Sequence, residues 1–245
     1  MIRHWIIIAF VFLSTSSVAA EVTLQAECEV VDVITADHDS LEMASRLAKI
    51  ACRQIERLAV LSGINLKNVR IRICADMDDF RRRSGRGWYI GAVLVGTEIV
   101  TQPARSLVRM KNLEQTLAHE LSHLLIATIA GRNCPRWLDE GLAQWLAGQK
   151  AGLQEIAEAE MPTSRAALKA LELKFTADSA SKAELRQAYR VSLALADRLI
   201  SRAGLEEVLA ALPGLKKTDR VLEIEIAGRK MEEWLFGKSD LSPEQ

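Results

Sequence analysis

Two of the four histidines in this 245-residue chain, His119 and His123, stand four residues apart in "HELSH", with Glu120 between them. On an α-helix, residues four apart share a face, so the two imidazoles can converge on one ion. A zinc site of the hydrolytic kind takes two neutral imidazoles and a third protein ligand, leaving one position for water. The ion lowers that water's pKa to about 7, and a neighbouring carboxylate accepts its proton. Glu120 is placed for that second task, as general base and then acid. The residue types and the spacing therefore point to metal-assisted hydrolysis.

The third ligand narrows the class. A metzincin would continue its motif with a glycine and a third histidine, but the corresponding residues are Ile126 and Ile129, which excludes that arrangement. His38, the other histidine beyond the first twenty residues, lies near the opposite end of the chain and reads as a loop residue. A glutamate ligand is the natural candidate, and "PRWLDEGLAQW" offers Glu140, 17 residues after His123. Gly131 to Asn133 can turn the chain, so a second helix would return antiparallel to the first and present Glu140 from its first turns.

"HELSH" together with "WLDEGLAQW" resembles the gluzincin metallopeptidases, in particular the compact peptidase MA-like group. The resemblance runs more loosely from Val69, through "DFRRRSGRGWYIGAVLVGTEIV", to "MEEWL" ending at Leu235. It implies His119, His123 and Glu140 as ligands of one zinc ion, and Glu120 as general base. It implies that the strand around Ala92 to Val95 holds an extended peptide by backbone pairing. It also implies a downstream Tyr or His that stabilises the oxyanion, and Tyr189 is the only tyrosine after the motif. One departure concerns the acidic residue that many gluzincins carry four positions after the glutamate ligand. Gln144 stands there instead, and its amide oxygen can accept an imidazole N–H without the charge; Asp139, beside the ligand, is the other candidate for that partner.

These residues need a scaffold. The chain opens "MIRHWIIIAFVFLSTSSVAAEV": Arg3, an apolar run from Ile6 to Leu13 and the small residues Val18 to Ala20 read as a secretory signal peptide, 1–20. The apolar run is far short of the roughly 20 residues that span a bilayer, and no membrane span is expected after cleavage. The protein is thus expected outside the cytoplasm, periplasmic or secreted. Lys plus Arg balance Asp plus Glu at 32 each, which argues against nucleic acid or an anionic membrane surface as the main partner; a peptide or protein substrate is what the resemblance implies. Cys28, Cys52, Cys74 and Cys134 survive cleavage, so two disulfides are expected, in any of three pairings.

The patterning predicts an α+β fold. Residues 27–35 and 68–75 read as strands, 40–61 as an amphipathic helix stopped by Gly63, and 88–102 as containing two strands turned at Gly96. "DMDDFRRRSGRG" between them reads as a charged connecting segment, and "RRRSGR" within it as a solvated turn. From Lys111 onward the pattern is helical throughout. Asn112 and Gln115 suggest a helix start and Gly131 a stop, Pro135 and Gly148 bound the next helix, and Ser181 with Glu184 spells a capping box. The expected organisation is a small mixed sheet with a packed helix over 21–110, then the HExxH helix and a C-terminal all-helical lobe over 111–238, and a tail, 239–245. A monomeric, exported zinc metallopeptidase is the function expected. The alternative is a catalytically inactive binding or envelope-assembly protein on the same scaffold.

Overall fold

The computed structural model describes residues 21–36, 38–149, 160–176, 181–216 and 220–237. The expected signal peptide and the tail from 239 lie outside the described residues. Helix and sheet are mixed, as the patterning predicts, and the chain divides into two compact units. One takes in residues up to Ala59 and Asn65–Leu121, the other Val60–Ile64 and Ser122 onward.

The first unit is built on a five-stranded sheet: β1 (Val22–Gln25), β2 (Val31–Thr35), β3 (Val69–Ile73), β4 (Ala92–Val95) and β5 (Glu98–Thr101), in the order β1-β2-β3-β5-β4. The three central strands are parallel, and both edge strands, β1 and β4, run antiparallel to their neighbours. Between β2 and β3 the chain crosses over through α1 (Leu41–Ser62), the connection a parallel pair requires. Its stripe of Met43, Ala44, Leu47, Ala48, Ala51, Ile55 and Leu58 is buried, and Gly63 ends it with φ 69°.

Two differences from the patterning arise here. The first predicted strand is shorter than 27–35, because residues 26–30 form a turn that pairs β1 with β2; Ala26 N–H donates to Val31 O, and Glu29 takes φ 59°. The charged segment folds as a helix, α2 (Met77–Ser84). Asp76 caps it by accepting from the Asp78 and Asp79 amides, and Gly85 ends it in the left-handed region at φ 65°. The helix buries Phe80 against Cys74 and Val100. Arg82, which stays largely exposed, and Arg83 both pair with the buried Asp79, at 2.6 and 2.8 Å. β4 turns into β5 at Gly96, φ 63°. A short α3 (Ala104–Leu107) leads to α4 (Leu113–Ala130), which carries "HELSH".

The second unit contains the rest of α4, then α5 (Arg136–Leu146), α6 (Arg165–Thr176), α7 (Lys182–Ala203), α8 (Leu205–Ala211) and α9 (Met231–Phe236). α7 opens with the capping box of Ser181 and Glu184. The C-terminal part is not purely helical. Glu225–Ile226 and Arg229–Lys230, labelled β6 and β7, form a two-stranded antiparallel ribbon closed by Ala227 and Gly228, both at positive φ. Two-residue strands are too short to announce themselves by alternation. Buried Glu232 on α9 receives Arg165 on both oxygens, with Nε–Oε1 at 2.6 Å, which ties the start of α6 to α9.

Cys28 and Cys52 form a disulfide that staples the β1–β2 turn to α1. The expected second bridge is absent: Cys74 and Cys134 are free thiols. Cys74 serves instead as a small apolar residue of the Phe80 cluster, and burial pushes its thiol up to about 12. A disulfide is compatible with an oxidising compartment. Among the described residues no helix is long and apolar enough to cross a membrane.

Candidate metal centre

Helix α4 is buried on most of its circumference. Leu117, Ala118, Leu121, Leu124, Leu125, Ile126, Ile129 and Ala130 are all under cover, the pattern of an interior helix. His123 and Glu120 are buried with them, and His119 is half-buried. Gly131 ends the helix at φ 71°, and a short 3-10 turn, Gly131–Asn133, reverses the chain. Asn133 Nδ2 holds that turn by donating to Leu215 O at 2.9 Å.

Pro135 then stands at the N-cap of α5. A proline there offers no side-chain cap, and the task falls to Glu172 on α6. Its carboxylate accepts from the Arg136 amide at 2.8 Å and the Trp137 amide at 3.0 Å, an anion at the positive end of a helix. Trp137 is wholly buried and anchors the first turn. α5 crosses α7 closely enough that a Cβ on Gly141 would lie 2.2 Å from Ser192 O. The glycine that follows Glu140 in sequence therefore admits the backbone of α7.

This arrangement brings the three expected ligands together. One ligand atom each of His119, His123 and Glu140 all lie within 4.8 Å of one another, and the group can hold a metal ion. His123 Nε2 is 3.4 Å from Glu140 Oε2. Two ligand atoms bound at about 2.0–2.1 Å to a tetrahedral ion are themselves about 3.4 Å apart, so this pair fits zinc-like coordination. Donor chemistry fits as well: two imidazoles and a carboxylate are a set that zinc accepts.

The surroundings of His123 settle which of its nitrogens faces the cluster. Nδ1 lies 2.8 Å from Asp139 Oδ1, leaving Nε2 toward Glu140. Asp139 is thus the carboxylate partner, the second of the two candidates legible in sequence. Gln144 is occupied elsewhere, its Nε2 donating to Glu140 O at 3.1 Å and Tyr189 O at 2.9 Å. Burial alone would lower the His123 pKa, but hydrogen bonding and charge from Asp139 and Glu140 outweigh it and raise it to about 10.

Glu120 lies outside the ligand group. Its Oε2 accepts the Leu94 amide of edge strand β4 at 2.7 Å, which orients the carboxylate toward the strand that the sequence resemblance assigns to peptide pairing. Tyr189, on α7, is half-buried, with its ring edge-on to Phe175 at 5.3 Å between centroids. Burial alone would lower the pKa of the half-buried Arg136 guanidinium, but the charges of Glu140 and Asp139 outweigh it and raise it.

Two residues of the site escape the sequence reading. Arg136 contacts Glu140 Oε1 through Nη2 at 2.5 Å and Asp139 Oδ2 through Nη1 at 3.4 Å. Its spacing, four before Glu140, is the signal that was available, because such pairs share a helix face. Glu172 left no signal, being brought to the head of α5 from 36 residues away.

Comparison with family models, with curated protein sequences and with solved structures finds no match to this chain. What the site can do therefore rests on its own geometry and chemistry.

Proposed function

We propose that this protein is an exported zinc-dependent metallopeptidase. The observation that carries the reading is the convergence of His119, His123 and Glu140 with Glu120 one residue from the first ligand on the same helix. An amphipathic helix that merely spells the motif has no reason to meet a buried glutamate from a second helix, backed by an Asp139 partner on the histidine.

His119, His123 and Glu140 would hold the ion, which would supply an acidified water and polarise the scissile carbonyl. Asp139 keeps the His123 ring turned so that Nε2 faces Glu140, where it would be available to hold the ion. Glu120 takes the proton of the attacking water and passes it to the leaving amine. Leu94 N–H, bonded to the Glu120 carboxylate, keeps that carboxylate beside edge strand β4, alongside which an extended peptide could add as a further strand. The family resemblance gives Tyr189 the role of stabilising the developing oxyanion. The Cys28–Cys52 disulfide supports the exported setting.

The test uses the purified chain from an oxidising compartment, prepared without chelator. Elemental mass spectrometry should give one zinc per chain, and a panel of unstructured peptides should be cleaved. Glu120→Gln should keep the zinc and lose turnover by a factor of at least about 10³, since the general base is removed. Full activity in the zinc-loaded variant would refute the mechanism. Zinc without cleavage of any peptide, and a cell phenotype indifferent to Glu120→Gln, would favour the binding-protein reading.

A further inference from the structure

We propose that Arg136 is a positioning residue for the metal centre, which selects the oxygen that Glu140 offers to the ion; the inference rests on the metal reading above. Four contacts close a ring of side chains within the second unit. Arg136 Nη2 donates to Glu140 Oε1 at 2.5 Å, and Glu140 Oε2 faces His123 Nε2 at 3.4 Å. His123 Nδ1 meets Asp139 Oδ1 at 2.8 Å, and Asp139 Oδ2 returns to Arg136 Nη1 at 3.4 Å. Each carboxylate thus has one oxygen on the histidine and the other on the guanidinium.

The need for such a brace follows from the torsional freedom of glutamate. The last torsion of the side chain has a broad, roughly two-fold profile, so a carboxylate held at one oxygen only can swing or turn over. With Oε1 tied to Arg136, Oε2 is the oxygen presented to the His123 imidazole, and monodentate binding is set before an ion arrives. The arm itself starts from a fixed point, because Glu172 accepts the Arg136 amide at 2.8 Å and the Trp137 amide at 3.0 Å. Only arginine can serve: its planar fork reaches two acceptors at once, whereas lysine is a single point charge.

The sign of the effect distinguishes positioning from simple electrostatics. A cation near the site repels a divalent ion, so if Arg136 acted only through its charge, removing it would tighten zinc binding. If it acts by holding Glu140 and Asp139, removing it weakens zinc binding, by about 10- to 100-fold, as outer partners of metal ligands generally do.

The experiment measures the zinc dissociation constant by competition with a coloured chelator for the wild type, Arg136→Met and Arg136→Lys. Each is first shown by circular dichroism to be folded without metal. The wild type is expected to bind one zinc, Arg136→Met to bind about 10- to 100-fold more weakly, and Arg136→Lys to recover only part of the loss. Cobalt in place of zinc gives a second readout. The visible bands of a four-coordinate ion should dominate in the wild type and weaken in Arg136→Met, as Glu140 becomes free to bind through both oxygens. Equal or tighter zinc binding in Arg136→Met, with an unchanged cobalt spectrum, would overturn the proposal. If Arg136→Met does not fold, full wild-type affinity in folded Arg136→Lys would do so. A wild type that takes up neither metal would instead refute the metal reading itself.

Discussion

Gly141 offers the sharpest perturbation of the site that touches none of its ligands. A Cβ at that position would lie 2.2 Å from Ser192 O, 2.8 Å from Ser192 C and 3.1 Å from the Ala196 side chain, against ordinary contact from 3.4 Å. The two closest atoms are backbone, so no rotamer change relieves the clash, and α5 and α7 must part by about 1 Å. A gap of about 0.5–1 Å forfeits a quarter to a half of the dispersion energy of the atoms facing it. Overpacking of this kind costs about 1–3 kcal/mol, and a clash against backbone belongs at the upper end. Alanine returns about 1 kcal/mol as the better helix former. The net expectation for Gly141→Ala is a loss of about 2 kcal/mol, or about 4–8 °C in Tm for a domain of this size. Because Glu140 is the preceding residue, its carboxylate moves with the helix, and zinc affinity should fall as well. Thermal unfolding by circular dichroism and chelator competition on the same preparation read both effects. A variant as stable as the wild type or more so, with unchanged zinc affinity, would show that helix propensity alone acts here and that the close crossing does not position Glu140.

Two further outcomes follow from the charges and the cysteines. Without metal, the folded His123 pKa of about 10 lies above its ordinary 6.5, despite burial, because of Asp139 and Glu140. Its contribution to stability is therefore complete below about pH 6.5 and is lost as the pH rises toward 10. Urea unfolding of the metal-free protein should show stability declining across that window, and His123→Gln should flatten the slope; identical pH profiles would contradict the buried pair. Replacing both Cys28 and Cys52, 24 residues apart, with serine should cost about 3 kcal/mol through the freed unfolded chain, while thiol titration of the oxidised, denatured wild type should count two free thiols. A count of zero would restore the second bridge that the cysteine number suggested.

Much of the scaffold was legible because its signals are local. The periodicity of α1, the Gly96 turn, the capping box at Ser181 and Glu184, and the stops at Gly63, Gly131 and Gly148 each depend on residues a few positions apart. α2 does not announce itself by periodicity, because its eight residues carry only Met77 and Phe80 as apolar anchors; its caps, Asp76 and Gly85, are the readable signs. β1 and the β6–β7 ribbon are too short for alternation to be counted. The even number of cysteines suggested two bridges, yet pairing depends on which side chains the fold brings together. Cys74 lies at the end of β3 in an apolar cluster.

For the candidate site, the sequence by itself determined the candidate donors: two histidines one helical turn apart, a glutamate between them, and a second glutamate after a turn. Spacing along a helix is a covalent property, so these relations needed no tertiary knowledge. The tertiary structure alone decided how Glu140 is aimed and what holds it. The close crossing at Gly141 and Ser192 sets where α5 lies, and Glu172 fixes the head of that helix from 36 residues away. Asp139 rather than Gln144 takes His123, because Gln144 turns to the carbonyls of Glu140 and Tyr189. Contacts between helices depend on how their faces meet, and no spacing along one chain segment encodes that.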